Sequence, residues 1–156
     1  MNKIKTYIVS IAISLGVGLF SAYLTRGSMD IYSEVNVPPL APPSFLFPIV
    51  WTVLFILMGI SAAMVYNNHA VDPKLKSRAL NTYAISLLLN FSWSIIFFNR
   101  RAFAVAFVWL ILLLVYIIRT IRQYRKISPI AAYLQIPYAV WVTFAGYLTL
   151  GIALLN

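Results

Sequence analysis

The sequence predicts an all-α integral membrane protein, a five-transmembrane-helix bundle forming one domain over residues 1–156. Three observations predict it. Hydrophobic residues make up 62% of the chain and charged residues only 10%, against the roughly one-quarter charged content of a water-soluble domain. The charges fall in clusters, and the gaps between them (6–25, 35–71, 79–99, 102–118 and 127–156) each suit a span, since a helix crosses the hydrocarbon core in about 20 mostly apolar residues. The gaps lack strict period-two alternation, and barrel strands would be about half as long. The same composition excludes an ordinary soluble globular protein and a disordered chain.

The first helix, about 6–25, follows Lys3 and Lys5. That arrangement also opens a signal peptide, but the apolar stretch exceeds a usual h-region and no small-x-small site follows, so an uncleaved span is expected. The next connection, about 26–43, holds Asp30 and Glu34, two of the three acids. Long connections of this kind are often lids, and prolines stiffen its second half. Pro38, Pro39, Pro42, Pro43 and Pro48 crowd the long gap; each lacks a donor and clashes one turn back. The second helix is therefore expected over about 44–66, with Ser44 as N-cap and Pro48 in the first turn, where a missing N–H costs little. The third, about 78–98, follows Asp72-Pro73, a cap and first-turn pair. The fourth, about 102–122, has the shortest gap, extended by Arg119 and Arg122 snorkelling to the interface. The fifth, about 129–154, follows Ser128-Pro129 and contains Pro137, where a kink or an unsatisfied carbonyl is expected.

The net charge of +9 would suit phosphate binding in a soluble protein. In a chain this apolar, the bases mark loop orientation instead, and no nucleic-acid partner is expected. Nine of the twelve Lys and Arg lie in the amino terminus and the second and fourth loops; Arg26, Arg100 and Arg101 lie on the other side. The bias puts the amino terminus in the cytoplasm, and the carboxyl terminus and the lid outside.

No Asp, Glu, Lys or Arg lies centrally in a span, which argues against a proton-coupled transporter and against a buried-lysine chromophore. His69 stands alone in a cytoplasmic loop and the chain has no cysteine; no metal site and no cofactor are expected. Paired carboxylates, an activated nucleophile and a phosphate loop are absent. What the spans do hold is aromatics. Trp51 and Phe55 are spaced i, i+4. Asn90, Trp93 and Phe97 share a face, as do Tyr138, Trp141 and Ala145, with Gln135 nearby. Three such stripes, plus mid-span amides that need partners, point to one cavity for a flat, weakly polar ligand. Small-x3-small patterns at Ser10, Ser14 and Gly18, at Gly59 and Ala63, and at Ala102 and Ala106 serve either internal packing or a homodimer seam.

Three runs carry a resemblance. PPLAPPSFLFPIVWTVLFILMG (38–59), LLNFSWSIIFF (88–98) and PYAVWVTFAGYLTLGIALLN (137–156) resemble, in order and spacing, the loop and second, third and fifth helices of the translocator protein family. That family is also called tryptophan-rich sensory protein or peripheral-type benzodiazepine receptor. The resemblance implies a five-helix bundle, often dimeric, here a bacterial member in the plasma membrane. It implies a receptor or carrier for porphyrins (tetrapyrroles) and for flat drug-like molecules such as isoquinoline carboxamides and benzodiazepines. Carried over by motif, Trp51, Asn90, Trp93, Tyr138 and Trp141 are the pocket residues, with Phe55, Ala145, Tyr32 and Pro42 beside them. It also implies an alternative, light- and oxygen-dependent porphyrin degradation with Trp51 and Trp141 as the catalytic residues, and another, cholesterol or porphyrin transport. The chain departs from the family at Leu40, where a tryptophan is usual, and at Leu148-Thr149, where Leu-Asn is usual. No basic residue follows Tyr147 to complete the sterol pattern; Leu114, Tyr116 and Arg119 fit that pattern elsewhere.

Overall fold

The computed structural model describes residues 2–28 and 31–156, with the side chains of residues 28, 31 and 32 excepted. Helices α1 (Lys3–Thr25), α3 (Leu46–Tyr66), α4 (Pro73–Ser94), α5 (Phe103–Arg125) and α6 (Pro129–Leu155) form the bundle, and a short α2 (Ile31–Glu34) lies in the first connection. No strand occurs among the described residues. Among the described residues, five helices are long and apolar enough to cross a membrane; the chain is an integral membrane protein.

Local chemistry sets the helix starts. Asn2 caps α1 by accepting from the Lys5 N–H at 3.2 Å. Asp72 caps α4 by accepting from the Lys74 N–H at 3.0 Å, with Pro73 in the first turn. Ser128 caps α6 by accepting from the Ala131 N–H at 3.4 Å, again followed by proline. The start of α3 differs from the sequence expectation. Ser44 is not its cap: the Pro43 and Ser44 carbonyls accept from the Leu46 and Phe47 N–H groups, so backbone bonds close the entry turn and the helix begins at Leu46. The α6 helix continues through Pro137, which leaves the Tyr133 carbonyl without its usual helical donor. At its far end α4 widens into a π turn over Ile95–Asn99.

The helices close a ring in the order α1, α3, α6, α5, α4, with α4 returning to α1. The polarity of α1 is inverted relative to a helix of a soluble bundle. The buried residues of α1 are Thr6, Ser14, Ser21 and Thr25, while Ile4, Ile8, Ile13, Leu19 and Phe20 face outward. Lipid is as apolar as leucine, so seams are made by small residues and hydrogen bonds instead of by hydrophobic burial. The α1–α3 seam is made in this way. Ser10 Oγ donates to the Gly59 carbonyl at 2.7 Å and Ser14 Oγ to the Phe55 carbonyl at 2.6 Å. A Cβ built on Gly18 would lie 2.5 Å from the Phe55 ring, and one on Gly59 would lie 2.6 Å from the Ile11 Cα. The small-residue patterns of α1 and α3 are thus matched to each other within one chain, and Ala106 is fully buried as well.

Candidate functional site

At the end of the bundle that carries the 26–45 connection, the helices part around a cavity of about 450 Å³. Trp51 and Phe55 enter it from α3, Asn90 and Trp93 from α4, and Trp141 and Ala145 from α6. The three aromatic stripes therefore converge. Trp51 is the hub: its ring lies 5.7 Å from Phe55, 6.4 Å from Trp93 and 6.3 Å, edge-on, from Tyr138. Trp93 stacks on Phe97 at 5.2 Å. Trp141 meets Phe47 edge-on at 5.8 Å.

Tyr138 stands behind the wall. It is 1% exposed, and its hydroxyl accepts from Asn90 Nδ2 at 2.8 Å. This bond fixes the Asn90 amide and ties α4 to α6. Gln135 lies elsewhere: its Nε2 donates to Ser61 Oγ at 3.3 Å, and Ser61 donates onward to the Ala131 carbonyl at 2.7 Å. Its role is to tie α3 to α6. Pro42 is partly buried but does not line the cavity, and the Tyr32 side chain lies outside the described residues.

Sequence reasoning missed the α1 wall. Gly18, Ser21, Ala22 and Thr25 line the cavity; the signal was present, because Ser14, Gly18, Ser21 and Thr25 repeat every three or four residues along an otherwise apolar helix. It also missed Phe98. Phe97 and Phe98 both line the cavity, although neighbours on an α-helix point about 100° apart. The π turn, closed by the Arg100 N–H onto the Ile95 carbonyl at 3.1 Å, widens the helix there, and such turns recur at functional sites.

The polar groups of the site are neutral. Among the described residues, no lining side chain is acidic or basic, and no metal-ligating group of three or more residues occurs. Two of the four tryptophans stand out. Trp109 Nε1 donates to Ser92 Oγ at 2.8 Å, whereas Trp93 Nε1 and Trp141 Nε1 are buried without a partner, as is Ser21 Oγ. All three belong to cavity-lining residues. A buried donor left unmade costs about 1–3 kcal/mol.

The first connection covers this end and is fastened to α6. Asn156 pairs with the Asn36 backbone, accepting from its N–H at 3.1 Å and donating to its carbonyl at 2.9 Å. Tyr147 donates to the Pro39 carbonyl at 2.6 Å. Pro38 seats on Gly151, where a Cβ would come within 2.5 Å of the proline ring. Arg101 pairs with Glu34. Arg26 lies over the Tyr23 ring at 4.0 Å.

Residues 10–155 match the model of the TspO/MBR family. The chain is 35% identical to a tryptophan-rich protein TspO of Chlorobaculum tepidum, covering 100% of this chain and 99% of the relative. It is 34% identical to the tryptophan-rich protein TspO of Archaeoglobus fulgidus, over 100% and 99% of the two chains. It is also 34% identical to the translocator protein of Bos taurus, over 86% of this chain and 80% of the relative.

Proposed function

Since the chain belongs to the TspO/MBR family, we propose that it is a membrane receptor or carrier that holds a porphyrin, or a similarly flat apolar molecule, in the aromatic cavity. The observation that carries this reading is the convergence of indole and phenyl rings from α3, α4 and α6 on one chamber, with two unpaired indole N–H groups buried in its wall. Trp51, Trp93 and Phe97 offer ring faces for stacking. The N–H groups of Trp93 and Trp141 are buried without partners, and a turn of either ring toward the guest would make it a donor for a carbonyl, carboxylate or pyrrole-type acceptor. The volume of about 450 Å³ falls in the usual ligand-site range of about 300–1,000 Å³. With the basic loops inward, the cavity opens toward the outer face and the connection serves as its lid. Arg26 and Arg101 are engaged by Tyr23 and Glu34, which makes Arg100 the cation to meet a porphyrin carboxylate. A homodimer would form on faces other than the small-residue seams, which are used internally.

Equilibrium titration of the detergent-solubilised protein with protoporphyrin tests the reading. Trp51→Ala and Trp141→Ala are each expected to weaken binding about tenfold or more, which corresponds to about 1.4 kcal/mol. Wild-type affinity in both variants would refute it.

The adjacent indoles support a second reading. Trp51 lies 6.4 Å from Trp93, so a photoexcited guest would have electron-rich rings in contact. Light- and oxygen-dependent degradation of the porphyrin would draw on that chemistry, which is the ligand's own. At porphyrin concentrations that saturate both proteins, replacing Trp51 and Trp141 together by Phe should then leave the guest bound by ring stacking and abolish product formation under light; equal rates would leave binding alone.

A further inference from the structure

We propose that the cavity is loaded sideways from the bilayer, through a doorway between α3 and α6 whose door is Trp141; this rests on the ligand reading above. A second concavity, of about 580 Å³, lies on the outer face of the bundle between these helices. Its lining is wholly apolar, with Val50, Val53 and Leu57 on one side and Val140 and Phe144 on the other. One side chain, Trp141, belongs to both this groove and the inner cavity. It is the partition between them.

Three features make this partition the one to move. The indole N–H of Trp141 is buried without a hydrogen bond, so a rotating ring breaks none. The ring is held by an edge contact with Phe47 at 5.8 Å and a tilted one with Phe144 at 5.5 Å. Pro137 sits one turn earlier in α6, where the helix lacks a backbone bond and yields more readily. The lid end is the contrary case. Breaking it open costs the paired Asn36–Asn156 bonds, the Tyr147 bond and the Pro38–Gly151 seat. The occupant of the groove is the ligand in transit, a planar apolar molecule dissolved in the lipid, for which an acyl chain is the competitor.

Kinetics in lipid nanodiscs decide between the two routes, with protoporphyrin as the probe. Val53 and Val140 are 51% and 63% exposed and line the groove but not the cavity. In the Val53→Phe/Val140→Phe variant, association and dissociation should both slow about tenfold while Kd stays within about twofold. The chain has no cysteine, so Asn36→Cys/Asn156→Cys gives a clean lock on the lid, expected to leave both rates unchanged. Wild-type rates in the groove-filled variant, or slowing by the lid lock alone, would overturn the doorway. Quenching of indole fluorescence by dibrominated acyl chains needs no porphyrin and separates failure of the doorway from failure of the ligand reading. It should fall in Trp141→Phe and in the groove-filled variant; undiminished quenching in both would remove the groove itself.

Discussion

Gly18 couples the stability of the bundle to the shape of the chamber. It lies on the α1–α3 seam and also lines the cavity. A methyl group placed there would sit 2.5 Å from Phe55 Cε2 and 2.7 Å from Cδ2, whereas carbon atoms in comfortable contact stand about 3.5–4.0 Å apart. The overlap of about 1 Å must be relieved by α1 backing away or by the Phe55 ring turning inward. Phe55 is 6% exposed and packed on Trp51, so either response distorts the site. Overpacking of this kind costs about 1–3 kcal/mol. Gly16 provides the control, because nothing lies within 4 Å of its added Cβ. There the same change should stabilise by about 0.4–1 kcal/mol through reduced freedom of the unfolded chain. The two variants should therefore differ by about 2 kcal/mol, or roughly 4–8 °C in thermal midpoint for a chain of this length. Thermal unfolding in one detergent, followed by size-exclusion of the surviving fraction, measures the gap. Protoporphyrin titration should show weaker binding in Gly18→Ala and wild-type binding in Gly16→Ala. Matching midpoints and affinities in the two variants would refute the seam geometry.

Four further outcomes follow from the same structure. Asn90→Leu and Tyr138→Phe should each destabilise the protein, and the double variant by less than their sum, with a coupling of about 0.6–1.7 kcal/mol in a denaturation cycle. Trp93→Phe and Trp141→Phe should leave the unliganded protein as stable as wild type or slightly more so, because each deletes an unpaired buried donor, yet both should weaken an acceptor-bearing ligand; a thermal-shift series with and without protoporphyrin checks this. Asn156→Ala should speed proteolytic cleavage in the 26–45 connection, whereas Glu34→Gln should be nearly silent, since an exposed ion pair contributes about 0–1 kcal/mol. Leu40 is 84% exposed at a φ of 70°, so Leu40→Gly should raise stability by about 1 kcal/mol in the same unfolding assay by removing a left-handed side-chain clash.

The parts of this molecule that were legible in the sequence are those governed by lipid solvation and helix-end chemistry. Charge gaps marked the spans because a bilayer tolerates few charges, and Asp72-Pro73 and Ser128-Pro129 marked helix starts because capping is local. Trp51, Asn90, Trp93 and Trp141 were legible because their polar atoms make little sense against hydrocarbon. Gln135 met the same criterion and went to a different place, since periodicity fixes a face of a helix but not a depth along the bundle; Ser61 on α3 claims it. The π turn that puts Phe97 and Phe98 on the same lining is a departure from the α-helical period of about 3.6 residues, so a reading built on that period places Phe98 off the face. The α1 wall carried its signal in small and hydroxylated residues, which read as ordinary packing when only aromatics are sought.

Transfer from the bilayer changes what selects the guest. Moving a flat apolar molecule from lipid into an apolar chamber exchanges one hydrocarbon environment for another, so hydrophobic burial, which dominates binding from water, contributes little. Ring geometry and hydrogen bonds remain. The lipid interior offers no donors, while the chamber is walled by two indole N–H groups without partners and an amide held in place by Tyr138. Under the proposed function, these few atoms would distinguish a porphyrin or an acceptor-bearing drug from an acyl chain of equal size. Each buried donor without a partner weakens the bundle, and under the proposed function that deficit would become selectivity for a guest that supplies the acceptor. A Phe at position 141 preserves the ring but removes the donor, so it should reduce discrimination against acyl chains more than it reduces total occupancy. Partition measured from nanodiscs, with lipid as the competitor, should reveal that loss more clearly than titration from water; an unchanged preference would mean that shape alone chooses.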